Sequence, residues 1–242
     1  MSTYKQYKIR AIVFDLFHTL VDPEEYRPKE FQRAHKIAEL FNLDPNEFAK
    51  YWAETLPERC THPRKAVEYV SDYVMKTTGK PASRPELAVA ELTLGRYQDL
   101  AIKNPDTSIR QTLARLKYDF IALGLLSNAD EREVSAWPVS PFASEIDAVC
   151  FSYNVGCMKP AKEAYSIVLR KLEVPAESAA YVGDGPEELQ GAKDAGFGMV
   201  VFTREYVGKN GFRTSDEVKK ASEIATFTID KLSELPLLIE RA

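Results

Sequence analysis

Short apolar runs bounded by turn residues recur along the chain at Ile9–Asp15, Phe120–Ser127, Ala148–Ser152, Ala179–Asp184 and Gly198–Thr203, with a sixth at Ala225–Ile229. Apolar runs of this length, without polar alternation, suit strands buried on both faces. Helical spacing fills most of the gaps. Ile109, Leu113 and Leu116 share one helical face before the second run; Tyr165, Val168 and Leu172 share one before the fourth; Leu189, Ala192 and Ala195 share one before the fifth. Such alternation predicts an α/β fold, a parallel Rossmann-like sheet covered by helices on both faces.

The gap between the first two runs breaks the rhythm. From Asp22 to about Asn104 the pattern is helical without a convincing strand. Phe31, Ala34, Ala38 and Phe41 recur at helical spacing. Asp44-Pro45-Asn46-Glu47 and Ser83-Arg84-Pro85-Glu86 read as capping boxes with proline in the first turn. Thr61-His62-Pro63 opens a further predicted helix through Val67, Val70 and Val74. A crossover between neighbouring parallel strands needs only about a dozen residues. The surplus, roughly four helices, predicts a helical cap domain at 22–104 inserted into a core made of 1–21 and 105–242.

Composition narrows the partners. There are 32 basic and 36 acidic residues, a net charge of -4, so no global electrostatic attraction to nucleic acid or anionic membranes is expected. Cys60, Cys150 and Cys157 form no framework spacing and read as reduced thiols. The opening MSTYKQYKIR lacks the apolar centre of a signal peptide, and no apolar run reaches the roughly 20 residues that span a bilayer. A cytoplasmic location follows as the expectation.

Polar residues then fall at telling places. Run one ends in Asp15, run two in Ser127-Asn128, and run four in Gly183-Asp184-Gly185; Lys159-Pro160 follows run three. Each has a plain structural reading as a cap, turn or solvated residue. In open parallel sheets, however, ligands bind at the carboxyl ends of the strands. Two carboxylates, a hydroxyl and an ammonium gathered there suit an anionic substrate and a metal ion. These four segments, in this order, resemble the signature motifs of the haloacid dehalogenase (HAD) superfamily, many of whose members carry a helical cap after the first strand.

The resemblance implies roles. Asp15 would be the nucleophile, forming an ester that water cleaves. Mg2+ would be held by Asp15, the Phe17 carbonyl and Asp184, with Glu188 either holding a metal-bound water or pairing with Lys159. Ser127 and the Asn128 amide would bind the transferring group, Lys159 would neutralise charge in the transition state, and Thr19 matches the threonine that follows the nucleophile. The substrate would be a small molecule, phosphorylated in the phosphatase branch.

Two residues depart from the phosphatase pattern. Phe17 stands where those enzymes carry a second aspartate for proton transfer, and His18 replaces a glycine. His18 is either a substitute acid or a residue that shapes the backbone. An aromatic at position 17 is familiar in the metal-independent 2-haloacid dehalogenases, whereas the Gly183-Asp184-Gly185 segment is of the metal-binding kind. Dehalogenases also place a cap arginine against the halide; Arg27, Arg33, Arg59 and Arg64 are available, Arg27 being the one assigned to substrate binding. A third reading is a weakly catalytic relative that binds a phosphometabolite or a protein. Cys60-Thr61-His62 lacks the second pair that a metal site requires, and Lys159 does not lie in the cap, where the Schiff-base lysine of the phosphonate-cleaving branch stands.

Overall fold

The computed structural model describes residues 9–119, 121–210 and 212–241. Six parallel strands form one sheet: β1 (Ala11–Phe14), β2 (Ala122–Ser127), β3 (Ala148–Phe151), β4 (Ala179–Gly183), β5 (Met199–Thr203) and β6 (Phe227–Ile229), in spatial order β3-β2-β1-β4-β5-β6. Alternation across the pleat splits β1 between two cores: Ile12 and Phe14 face one, Ala11 and Val13 the other, and all four are fully buried. That two-sided burial is why the strand is an unbroken apolar run.

Between β1 and β2 the insert holds five helices: α1 (Arg33–Leu40), α2 (Pro45–Glu54), α3 (Leu56–Arg59), α4 (Ala66–Thr78) and α5 (Arg84–Lys103). They enclose their own core, centred on Ile37, Phe48, Trp52, Tyr69, Val70 and Leu94, and form a cap-like region. The rest of the chain adds α6 (Thr107–Tyr118), α7 (Ser152–Val155), α8 (Lys162–Leu172), α9 (Pro186–Asp194), α10 (Val207–Asn210), α11 (Ser215–Ile224) and α12 (Leu235–Arg241). No described helix is long and apolar enough to cross a membrane.

Several boundaries differ from expectation. Phe120, the first residue of the predicted second strand, lies outside the described residues, as do residues 1–8 of the opening segment. Ser152 begins α7 instead of ending β3, and β6 starts at Phe227, two residues late. The Ser83/Glu86 box forms in both halves, with Pro85 at the second helical position, and the Asp44 carboxylate accepts from the Asn46 and Glu47 amides. Thr61 opens no helix. Its hydroxyl turns back to the Pro57 carbonyl (2.7 Å), and α4 starts only at Ala66 after Lys65. The insert has five helices, not four, because the short α3 follows α2 after a single residue.

Four consecutive charged residues after β2 fasten the insert to the sheet. Asp130 pairs with Arg59 of α3 (3.2 Å). Glu131 accepts from the Ala66 amide at the start of α4 (3.4 Å). Arg132 makes a two-pronged contact with Asp99 of α5 (2.9 and 2.7 Å). Glu133 pairs with Arg33 of α1 (2.9 Å). Gly95 makes room for this arrangement, since a Cβ there would lie 2.2 Å from the Arg132 guanidinium.

The Arg59–Asp130 pair is the most deeply buried of these. Both residues are no more than 2% exposed, and Arg59 lies 3.6 Å over the Trp52 ring while donating to the Trp52 carbonyl. Burial, with Glu133 nearby, pushes the Asp130 carboxyl up to about 6. Removing one partner of a buried ion pair strands the other and typically costs about 3–5 kcal/mol. Arg59→Ala is therefore expected to lower unfolding stability by about that amount in urea titrations. Arg59→Met combined with Asp130→Asn should recover much of it, because no uncompensated charge remains. A stability change under about 1 kcal/mol for Arg59→Ala would refute this role for the pair.

Candidate active site

Strand order decides what meets at the carboxyl edge. β1 lies between β2 and β4, so the winding of the sheet reverses there and opens a crevice. Asp15 leaves the end of β1 with its amide on the Val182 carbonyl (2.9 Å), and Asp184 follows β4 next door. Beyond Asp15 the chain folds back on itself. The His18 amide reaches the Val21 carbonyl (2.7 Å), and the Leu20 and Val21 amides both reach the Leu16 carbonyl. His18 sits at the apex in the left-handed region (φ 59). Glycine is the usual residue in that conformation, which accounts for the glycine that the motif would have carried. The His18 ring is held between Asp22 (Nδ1 to Oδ1, 3.2 Å) and Phe212, on which it stacks at 3.7 Å.

Lys159 reaches the site from the loop after α7, where Gly156 adopts a left-handed conformation (φ 77). Asn128 clamps that loop through two reciprocal bonds: the Lys159 amide donates to Oδ1 and Nδ2 donates to the Lys159 carbonyl, each 2.8 Å. The Lys159 ammonium, fully buried, then meets Asp15 (2.6 Å), Glu188 (2.8 Å) and the Tyr181 hydroxyl (3.1 Å). Glu188 is thus placed to pair with Lys159, one of its two expected roles.

Burial works on the Lys159 ammonium first and by itself would lower its pKa. Asp15 and Glu188 outweigh it and hold the group above its ordinary value. Burial pushes the Asp15 carboxyl up to about 7 against the attraction of Lys159, with Glu188 and Asp184 adding repulsion. Asp184 is likewise raised by burial, against the opposing effect of Arg213.

A cavity of about 290 Å3 opens at this edge; Lys159 is not part of its lining and meets it only through Asp15 and Glu188. Asp15, Phe17, His18, Ser127, Asn128, Asp184 and Glu188 line it. The Ser127 and Thr19 hydroxyls are buried without a hydrogen-bond partner among the described residues, and that of Ser127 belongs to the cavity wall. Thr19 is not part of the lining. Nor is Arg27, assigned to substrate from the sequence; it pairs with Glu24, which does line the cavity. Arg33, Arg59 and Arg64 also lie outside the lining, bound to Glu133, Asp130 and Asp72.

Sequence reading missed seven contributors: Pro23, Glu24, Leu56 and Gln98 from the insert, Glu133 from the segment after β2, and Phe212 and Arg213 from the loop after α10. Arg213 donates from Nε to Asp184 (2.9 Å) and from Nη1 to Glu217 (3.2 Å). A buried acid needs a counter-ion, but nothing local announces one lying 29 residues further on. The Cys60-Thr61-His62 fragment assembles no site: Cys60 is a buried free thiol, pushed up to about 12 by burial, and the His62 ring rests on Thr61 and the Glu58 carbonyl.

The donor set suits a hard cation. Asp15 and Asp184 each engage one carboxylate oxygen with a cationic side chain, leaving Asp15 Oδ2 and Asp184 Oδ1 without a hydrogen bond among the described residues. No group of three His, Cys, Asp or Glu side chains clusters for metal binding among the described residues. Two carboxylates completed by a backbone carbonyl and water are a coordination that Mg2+ accepts.

Residues 9–196 match the model of haloacid dehalogenase-like hydrolases. A glyceraldehyde 3-phosphate phosphatase of Methanocaldococcus jannaschii is 24% identical over 238 residues, covering 94% of this chain and 95% of that one. Among solved structures, a HAD phosphatase from Thermococcus onnurineus is similar with TM-score 0.62 at 18% identity, covering 96% of this chain and 98% of that one. A 2-haloacid dehalogenase from Pseudomonas syringae pv. Tomato reaches 0.63 at 20% identity, covering 96% and 99%. At these identities the structural likeness concerns the fold.

Proposed function

The chain belongs to the haloacid dehalogenase-like hydrolase family, and on that premise we propose that it is a Mg2+-dependent hydrolase of small phosphate monoesters with Asp15 as nucleophile. The observation that carries this reading is Asp184, a buried carboxylate at the end of the strand beside Asp15, with one oxygen on Arg213 and the other without a hydrogen bond among the described residues. It stands in a Gly183-Asp184-Gly185 segment of the metal-binding kind, where dehalogenases typically have a serine- and asparagine-rich segment before their acid. The similarity to a glyceraldehyde 3-phosphate phosphatase is in keeping with it.

In this reading the Asp15 carboxylate attacks phosphorus, the ester oxygen leaves with the bonding pair, and water then cleaves the aspartyl phosphate. Ser127 donates its unpartnered hydroxyl to a phosphoryl oxygen. Lys159 favours the charged form of Asp15 against the larger effect of burial and holds it in place, and Asn128 fixes Lys159. Mg2+ held by Asp15, Asp184 and the Phe17 carbonyl would supply charge neutralisation for the phosphoryl oxygens. Residues 22–104 act as the cap domain, contributing Leu56 and Gln98 to the cavity wall.

The dehalogenase alternative rests on Phe17, an aromatic in the cavity wall where a phosphatase acid is usual. Against it, none of the six arginines between residues 22 and 104 lines the cavity. One assay separates the two: phosphate release from aryl phosphates, and halide release from chloropropionate, each with Mg2+ and with chelator. Phosphate release that disappears on chelation is expected. Halide release that survives chelation, without phosphatase activity, would transfer the assignment to the dehalogenase.

A further inference from the structure

Helix α5 presents a buried stripe to the rest of the protein, with Leu94, Ala101 and Ile102 each no more than 2% exposed. One helical turn after Leu94, on that stripe, stands Gln98. It is 9% exposed, and its Oε1 is buried without a hydrogen-bond partner among the described residues. A buried amide in this condition is normally costly and would be replaced by an apolar residue. Its surroundings explain its presence. Gln98 lines the same cavity as Asp15, Ser127 and Asp184, and it does so from the cap side.

We infer that Gln98 is a specificity residue whose amide hydrogen-bonds a hydroxyl or carbonyl on the leaving part of the substrate. This rests on the phosphate-ester reading above. The amide offers a donor and an acceptor, so the inference is the same whichever way the group is turned. The phosphoryl group is provided for at the core side by Ser127. A second polar contact from the opposite wall selects esters of hydroxylated or carbonyl-bearing alcohols over plain alkyl esters of the same length. A site built to hydrogen-bond a substrate hydroxyl rejects the analogue lacking it, because its own polar group then stays buried and unpaired.

The test uses the full chain and para-nitrophenyl phosphate as reporter, with glycerol phosphate and propyl phosphate as competitive inhibitors. Wild type should bind glycerol phosphate at least roughly tenfold more tightly than propyl phosphate. Gln98→Met should erase that preference by weakening glycerol phosphate alone, while thermal stability stays the same or rises. Gln98→Asn, which keeps the amide but shortens its reach, should fall between the two. Equal inhibition by both esters in wild type overturns the inference while leaving the phosphatase reading intact. So does a Gln98→Met variant that melts several degrees lower and weakens both inhibitors alike, the behaviour of a structural glutamine. Absence of para-nitrophenyl phosphate hydrolysis in wild type under any metal would instead remove the phosphatase reading, and this inference with it.

Discussion

Asp15→Asn is expected to reduce turnover by on the order of a thousandfold or more while leaving the fold intact. Amide and carboxylate are nearly the same size, and the backbone of residue 15 is held by the Val182 carbonyl whatever the side chain. What is lost is the nucleophilic oxygen pair. Lys159 keeps Glu188 and the Tyr181 hydroxyl as partners, so its buried charge is not abandoned. The stability effect has its own direction. The Asp15 carboxyl is raised to about 7, chiefly by burial, which means that the site disfavours its ionised form near neutrality. An amide removes that conflict, so the melting temperature of the variant should match or exceed that of wild type, as active-site substitutions often do. Steady-state rates on an aryl phosphate, together with circular dichroism and melting curves, check both halves. A variant that retains a tenth of the rate with a native spectrum would exclude Asp15 as the nucleophile.

Phe17 should govern which esters are cleaved. It borders the cavity two residues from Asp15, and its side chain moves no proton. The leaving oxygen must then depart largely unprotonated, which a nitrophenolate does readily and an alkoxide does not. Positioned proton transfer is typically worth about 100- to 10,000-fold in rate. Aryl and acyl phosphates should therefore exceed alkyl phosphates in turnover by roughly that factor. Phe17→Asp should narrow the gap by accelerating alkyl esters most. Phe17 also packs against the apolar cluster beneath the sheet edge, so the substitution carries a packing cost that melting curves will register separately. A leaving-group series on both proteins is the measurement. Equal turnover of alkyl and aryl phosphates in wild type would point to another proton donor, and His18, oriented by Asp22, would be the first to replace. Slow alkyl turnover is compatible with tight alkyl binding, which is why the Gln98 test reads inhibition.

The chemistry of the site was legible wherever it sits on or beside regular strand ends. Asp15, Ser127 and Asp184 each close an apolar run, and a polar residue in that position is visible from its neighbours alone. Lys159 was legible from its place after the third run, but its role came only through the resemblance to a known family, because a lysine before a proline in a loop has no distinguishing local pattern. Its partners show why: it meets Asp15 across 144 residues and Glu188 across 29. Arg27 was misplaced for the converse reason. A cap arginine looks suitable by charge, but Glu24, three residues away, holds it outside the cavity. Gln98 carried a readable signal, a polar residue on an apolar helical stripe, although the stripe alone does not say what the exposed face of that cavity contains.

Periodicity, caps and turn residues, which depend on neighbours a few positions apart, determined the six strands, the helical insert and the acids at the strand ends. Tertiary structure alone decided the order β3-β2-β1-β4-β5-β6 that sets Asp15 beside Asp184. It also decided the Arg213 counter-ion on Asp184 and the Arg59–Asp130 pair that joins insert to core across 71 residues. The physical reason is common to all three. A buried charge or strand edge must be satisfied by whatever the folded chain brings within about 3 Å, and that partner is chosen by the packing of the whole molecule, not by local sequence.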